Sequence, residues 1–242
     1  MFNTVTFHKS YSLFSILLIV FLIRSFIFEP FHIPSSSMKS TLLEGDYIFA
    51  TKYSYGYSKH SLPFSPNFFS GRIFYVPPKL GDVIVFKPAH NEGVRFVKRV
   101  IGLPGDKVQM ISGSLYINDQ KVQHIKMKSF FDEDINRYIS RYLETLNQNI
   151  QHEIIIDNLS HHLSHNTNVY YVPHDHFFVM GDNRNNSLDS RFPEVGCVPM
   201  ENIIGRVHMV VLSFKLAKKD WIPFNMRIPI ALRLNRILHH VI

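Results

Sequence analysis

Between Tyr47 and Ile117, short β-branched runs alternate with tight polar breaks, and that spacing limits what this chain can fold into. Tyr47–Ala50, Val83–Phe86 and Val94–Ile101 read as strands. Glu44-Gly45-Asp46, Leu80-Gly81-Asp82 and Gly102-Leu103-Pro104-Gly105-Asp106 read as turns. Val108–Ile111 and Ser114–Ile117, parted by Ser112-Gly113, suggest a hairpin. The expected fold class is therefore mainly β, built from antiparallel sheets. A length of 242 residues allows one medium domain, or a domain with an insertion. With 45% apolar residues and 21 Phe, material for a core is ample.

The N-terminus differs. Leu13 to Ile23 is almost purely apolar on all sides, and Phe26 to Phe28 extends the run past Arg24. That length lies at the low end of what spans a bilayer, roughly 17–25 residues. A cleaved leader needs small residues at its cleavage site, and the following Phe28-Glu29-Pro30-Phe31-His32-Ile33-Pro34 is bulky. The expectation is one uncleaved transmembrane helix with Arg24 at its end reaching toward the headgroups. Lys9 favours a cytoplasmic N-terminus, while Arg24 and Lys39 on the other flank weaken that signal. Pro30 and Pro34 stop any helix and open an extended segment. From Lys52 to Pro78 the chain lacks a clean period and reads as a long loop.

Lys126 to His176 is polar and His-rich, and Ile135 to Ile150 carries a loose helical period. It reads as an inserted subdomain or long loops away from the chemistry. His161, His162 and His165 invite a metal, but no Cys partners them and no His-Glu-x-x-His occurs, so neither metal nor other cofactor is expected. The last stretch, Leu216 to Ile242, sets Lys218, Lys219, Arg227, Arg233 and Arg236 among Trp221, Ile230, Leu234, Ile237, Leu238 and Val241. The last five recur at helical spacing, which fits either a basic amphipathic segment on a membrane or the end of the domain packing on its core. The net charge of +7 comes from scattered Lys and Arg with no nucleic-acid-binding signature, so no nucleic-acid partner is expected. Cys197 is the only cysteine and reads as a small buried residue at a strand start, not a nucleophile.

Three pieces carry the candidate chemistry: Pro34-Ser35-Ser36-Ser37-Met38, Phe96-Val97-Lys98-Arg99, and the polar run Gly181 to Arg191. A serine hydroxyl is a weak nucleophile until a base takes its proton. Lysine serves as that base only when neutral, which requires a pKa well below its ordinary value near 10.4. Lys98 lies in an apolar strand, where desolvation can supply that shift. Arg99, its neighbour, points to the other face and can pair with an acid such as Asp182. An exposed strand lysine and a solvated Asn/Asp loop are the bland readings of the same residues.

In this order, with Phe96 to Asp106 and Met180 to Arg191 after an anchor, the motifs resemble bacterial type I signal peptidase. The resemblance covers about Phe28 to Lys107 and Phe177 to Phe214, and no motif covers the middle segment. It implies a β-rich domain on the outer face of the bacterial cytoplasmic membrane, single-pass, that removes signal peptides from preproteins after small residues. It implies Ser37 as nucleophile and Lys98 as general base. Ser35 matches a hydroxyl that joins the Ser37 amide in binding the oxyanion, and Ser187 a serine that orients the lysine. Asp182, Arg99, Asp189 and Arg191 match supporting charged positions. Phe31, Ile33, Met38, Leu42 and Val85 match residues bordering the substrate subsites, although core packing explains them equally well. Preprotein signal peptides and membrane lipid are the implied partners. The sequence departs from the family at Ser36, where Gly is usual, and at Lys39-Ser40, where a Met-like residue and then Pro are usual.

Rivals remain open at this level. Ser36-Ser37-Met38-Lys39 is also a Ser-x-x-Lys match, the motif of penicillin-binding proteins, but no Lys-Thr-Gly follows. A self-cleaving repressor protease would need a DNA-binding domain where the apolar run stands. A membrane-tethered β-domain that binds extended peptides without cutting is the non-enzymatic alternative. The expected organisation is an anchor over residues 1–29, a catalytic core over 30–107 and 177–214, an insertion over 108–176 and a basic tail over 215–242.

Overall fold

The computed structural model describes residues 4–63, 65–67, 69–132, 135–157, 165–218 and 227–241. Helix α1 (Thr4–Phe26) comes first. Its apolar side chains from Leu13 to Leu22, among them Phe14, Leu17 and Val20, lie exposed, and Ile23 is half-buried. Among the described residues no helix is long and apolar enough to cross a membrane.

The rest is mainly antiparallel β, as the turn spacing predicts. The largest sheet orders its strands β1 (Phe28–His32), β2 (Asp46–Thr51), β15 (Ile203–Lys218), β3 (Val83–Phe86), β4 (Phe96–Gly102), β13 (His176–Met180) and β14 (Val198–Pro199). Strand β15 pairs with β3 through Ile203–Arg206 and with β2 through Arg206–Ser213. Beyond Arg206 its β3 side would be left with unpaired backbone groups. The C-terminal chain fills that side: β16 (Arg227–Leu232) pairs with Phe214–Lys218 and β17 (His239–His240) with Met209–Val210. The helical spacing of Ile230, Leu234, Ile237, Leu238 and Val241 is therefore not realised as a helix. The demand of β15 for hydrogen-bond partners overrides it, and the chain between β16 and β17 is a single 3₁₀ turn, Leu234–Arg236. Lys219 and Trp221 lie outside the described residues. Arg227 pairs with Glu44 and Arg236 with Asp46 at 2.6 Å, so these basic side chains serve the fold.

Two smaller sheets are built from the middle of the chain. β5 (Lys107–Ile111) and β6 (Ser114–Ile117) form the expected hairpin, flanked by β7 (Gln120–Lys121) and β12 (Tyr170–Tyr171). β10 (Arg137–Asn147) and β11 (Ile150–Ile156) form a longer hairpin, with β8 (Gln123–Lys126) and β9 (Phe130–Asp132) also on β10. The loose helical period of Ile135–Ile150 thus misleads: cross-strand pairing on both sides of β10 outweighs a weak local preference.

Phe31, Ile33, Met38, Leu42, Ile48, Val83 and Val85 share one buried cluster beneath the segment that carries the three serines. The register sets Lys98 opposite Ile84 and Arg99 opposite Val83 on β3, with Arg99 also opposite Met180 on β13. Both cations therefore stand in the interior of the sheet. Tyr55, Ser58, His60 and Ser61 are buried, so the first part of the irregular 52–78 segment is packed chain, while Ile73 to Val76 lie exposed.

Candidate active site

Pro34 ends the extended segment and the chain turns. The Lys39 N–H donates to the Ser36 carbonyl at 2.9 Å and the Leu42 N–H to the Met38 carbonyl at 2.8 Å. Met38 and Leu42 sink into the core and hold the turn down. Ser35, Ser36 and Ser37 are left lining a cleft of about 600 Å³, with Phe31, Ile33, Val85 and Lys98 among the other walls.

Lys98 Nζ donates to Ser37 Oγ at 2.6 Å and to the Val97 carbonyl at 3.1 Å. Its side chain is buried, 4% exposed, and the amine also stands 5.3 Å from the centre of the Phe96 ring. Burial pushes the amine down to about 8, with Asp189 and Asp182 pulling weakly upward. Ser35 Oγ lies 3.4 Å from Ser37 Oγ. Among the described residues the Ser37 N–H donates to no group.

The 181–191 loop grips the serine turn from the other side. The Asn183 N–H donates to the Ser37 carbonyl at 3.0 Å, and Asn183 Nδ2 to the Ser36 carbonyl at 3.1 Å. Asn186 Nδ2 donates to Ser36 Oγ at 2.9 Å. Asp182 receives Arg99 Nε at 2.9 Å and Nη2 at 2.8 Å, together with Thr41 Oγ1 at 2.5 Å. Burial alone would raise the Asp182 carboxyl, but the Arg99 guanidinium outweighs it and holds the group below the usual carboxylate range. Asp189 is likewise held low by Arg191, which donates at 2.8 and 2.9 Å. Asp189 also accepts the Gly181 N–H at 3.0 Å and the Ser187 hydroxyl at 2.7 Å.

A hydroxyl and a buried amine that loses its proton more readily than an ordinary lysine, at hydrogen-bond distance and beside a free amide and a second hydroxyl, can perform acyl transfer. The sequence matches point the same way. Residues 6–212 match the model of the signal peptidase, peptidase S26, family.

The chain belongs to the signal peptidase family, peptidase S26.

Signal peptidase I of Rickettsia typhi is 42% identical over 212 residues, 85% of this chain and 80% of that protein. The Rickettsia canadensis signal peptidase I is 43% identical over 209 residues, 84% and 78% of the two chains. That of Rickettsia massiliae is 39% identical over 247 residues, 93% and 90%. A crystal structure of a signal peptidase I from Enterococcus faecalis V583 is 27% identical, covers 54% of this chain and 97% of its own, and has a TM-score of 0.31. The family assignment rests on the sequence matches.

Within this signal peptidase fold the residues expected from sequence fall into three groups. Ser37, Lys98 and Ser35 come together in the cleft. Asp182 with Arg99, and Asp189 with Arg191, form two buried ion pairs behind it. Ser187 spends its hydroxyl on Asp189 and makes no hydrogen bond to Lys98, so the expected direct hold on the amine is not made. Phe31, Ile33, Met38 and Val85 line the cleft and also belong to the core; Leu42 is fully buried and does not line it.

Lys39, the lysine of the Ser-x-x-Lys reading, turns away and donates to Asp132 at 2.6 Å. Ser40 has φ of +99°, a conformation closed to proline, whose φ is fixed near −65°. The departure from the family pattern at Ser40 thus goes with a different local backbone. Asn183 and Asn186 are the functional residues that sequence reasoning missed, although both stand inside a motif it singled out. The middle segment is not remote. His165 Nε2 lies 3.1 Å from Asn185 Nδ2, and β11 runs beside the 181–185 segment. His161 and His162 lie outside the described residues.

Proposed function

We propose that this signal peptidase is a membrane-anchored serine endopeptidase that cuts signal peptides from preproteins through an acyl-enzyme on Ser37. The 2.6 Å contact between a buried, neutralisable Lys98 amine and the Ser37 hydroxyl carries the reading. Ser37 Oγ attacks the scissile carbonyl as its proton passes to Lys98 Nζ. The Ser37 amide and the Ser35 hydroxyl receive the developing oxyanion. Collapse expels the new N-terminus of the mature chain, which takes the proton from Lys98. The neutral amine then takes a proton from water, which attacks the Ser37 ester; as the ester bond breaks, Lys98 returns that proton to Ser37 Oγ and the signal peptide leaves with a free carboxylate. Asp182, Arg99, Asp189, Arg191 and Ser187 hold the loops that frame this dyad and act through them. The signal peptide lies extended along the cleft, its side chains against Phe31, Ile33, Met38 and Val85.

The anchor is α1, whose apolar side chains from Leu13 to Leu22 lie exposed on all sides. Arg24 at its end lies 3.5 Å from Glu29, at the joint between helix and β1. In this reading the catalytic domain lies on the outer face of the bacterial cytoplasmic membrane, where translocated preproteins emerge. The segment 108–176 is an insertion into a core formed by 30–107 and 177–214.

Detergent-solubilised full chain, incubated with a preprotein carrying an Ala-x-Ala site, tests the reading. Cleavage at that site, abolished by Ser37→Ala in a folded protein, is expected. A folded wild-type chain that binds the preprotein without cutting it would replace the peptidase with a peptide-binding domain.

A further inference from the structure

The β10–β11 hairpin carries none of the three motifs, yet it holds both halves of the site. Arg184 Nη1 donates to Glu144 Oε1 at 2.7 Å, and Nη2 to the second carboxylate oxygen. The Ile155 N–H donates to the Asp182 carbonyl at 3.0 Å, and the Arg184 N–H to the Ile155 carbonyl at 3.1 Å. His152 Nε2 stands 3.3 Å from Glu144 Oε2 and 3.8 Å from Asp182 Oδ1. On the serine side, Ser40 Oγ donates to the Glu153 carbonyl at 2.9 Å. At the hairpin's tip, Ile150 packs over Gly81, whose carbonyl takes Arg99 Nη1 at 2.8 Å. Glu144, His152, Asp182 and Arg184 are all buried. A single strand, β11, is thus bonded to the loop that carries Ser37 and to the loop that holds it.

Placement of a nucleophile is sensitive: an error of about 1 Å can cost on the order of a hundredfold in rate. Ser37 hangs by its carbonyl from the Asn183 amide, so its aim follows the 182–184 backbone. That backbone is fixed from behind by Glu144 through Arg184, and the His152 imidazole, its pKa lowered by burial and its nitrogens without a hydrogen bond to either acid, packs between Glu144 and Asp182. Buried charged groups arranged in this way give definition more than net stability.

We propose that Glu144 and His152 are positioning residues for the reaction: acting through Arg184 and Asp182, they set the aim of Ser37. The proposal rests on Ser37 as the nucleophile. The test uses the detergent-solubilised full chain and a preprotein substrate, with kcat expressed per folded molecule from a thermal melt of the same sample. Glu144→Gln and His152→Leu are expected to lower kcat about tenfold and leave KM within twofold. His152→Gln, which keeps a polar side chain between the two carboxylates, is expected to recover most of the loss. A merely structural role would lower the melting midpoint and leave kcat per folded molecule unchanged. That result for both Glu144→Gln and His152→Leu overturns the proposal. Should both variants fail to fold, Ser40→Ala decides: a kcat two- to threefold lower supports the hairpin's hold on the serine turn, and an unchanged one overturns it. Ser37→Ala in the same panel keeps the two readings apart: residual cleavage there overturns the nucleophile and with it this proposal, whereas full loss there with unchanged kcat in Glu144→Gln and His152→Leu overturns the hairpin's role alone.

Discussion

Lys98 Nζ and Ser37 Oγ stand 2.6 Å apart at the floor of the cleft, the amine buried and the hydroxyl partly open to solvent. A charged ammonium at that distance would hold the serine proton in place; only the neutral amine can take it. Burial pushes the Lys98 pKa to about 8. The neutral fraction therefore grows as pH rises through that value, and kcat/KM is expected to climb along an ascending limb with its midpoint near pH 8. Initial rates from pH 6 to 10 check this; a flat profile between pH 6 and 9 would remove Lys98 as the base.

The same shift has a stability consequence. The folded-state pKa, about 8, lies below the ordinary lysine value of 10.5, so the unfolded chain binds the proton more tightly. Folding is penalised below pH 8, and the penalty fades as pH rises from 8 toward 10.5. At about 1.4 kcal/mol per unit, the penalty at neutral pH is on the order of 3 kcal/mol. Lys98→Met is therefore expected to abolish cleavage and raise unfolding stability at pH 7 by roughly 1–3 kcal/mol. The gain should shrink toward pH 10. Urea unfolding of both chains at the two pH values reads the difference; a less stable Lys98→Met at pH 7 would contradict it.

The sheet strands were legible in sequence because they rest on local pattern, β-branched runs between Gly-Asp turns; the pairing of Ser37 with Lys98 was legible only through the resemblance of three motifs, in their order, to signal peptidase. What escaped depends on long-range pairing. Nothing near Ile135–Ile150 announces that β8, β9 and β11 all pair with β10, and the weak helical period there was the stronger local signal. The link from Glu144 to Arg184 spans 40 residues and has no local signature. The partner of Ser187 turns on a choice between two groups near in space, an acid and an amine, which spacing along the chain does not make.

Gly181 has no room for a side chain. A Cβ there would lie 2.3 Å from Ser187 Oγ and 2.5 Å from the Ser37 carbonyl oxygen. The backbone oxygen cannot swing away without dragging the nucleophile. Gly181→Ala is expected to cost at least a hundredfold in kcat, with a loss of stability of about 1–3 kcal/mol from overpacking. Steady-state rates alongside a thermal melt separate the two effects; kcat within threefold of wild type would mean the turn relaxes freely.

Ser35 tests the oxyanion assignment. Its hydroxyl sits 3.4 Å from Ser37 Oγ in the exposed part of the turn and has no other hydrogen-bond partner among the described residues. Ser35→Ala should leave folding and KM nearly unchanged and lower kcat on the order of a hundredfold, the typical cost of one oxyanion donor, about 3 kcal/mol. An effect confined to KM would assign Ser35 to substrate binding instead.

Lys39 separates the two serine–lysine mechanisms that this turn could encode. In the Ser-x-x-Lys alternative its amine must face the serine, and its loss is fatal. Here the amine is 2.6 Å from Asp132, with side chains 9% and 5% exposed. The ion pair joins the serine turn to β9, on the side away from Lys98. Removing the cation breaks this buried ion pair, and breaking such a pair typically costs roughly 3 kcal/mol. Lys39→Ala is therefore expected to lower the unfolding midpoint clearly while kcat per folded molecule stays within about threefold of wild type. Lys98→Ala should do the reverse, holding the fold and abolishing turnover. Measuring both variants with the same preprotein decides the matter: inactive Lys39→Ala with active Lys98→Ala would transfer the base to Lys39 and overturn the mechanism built on Lys98.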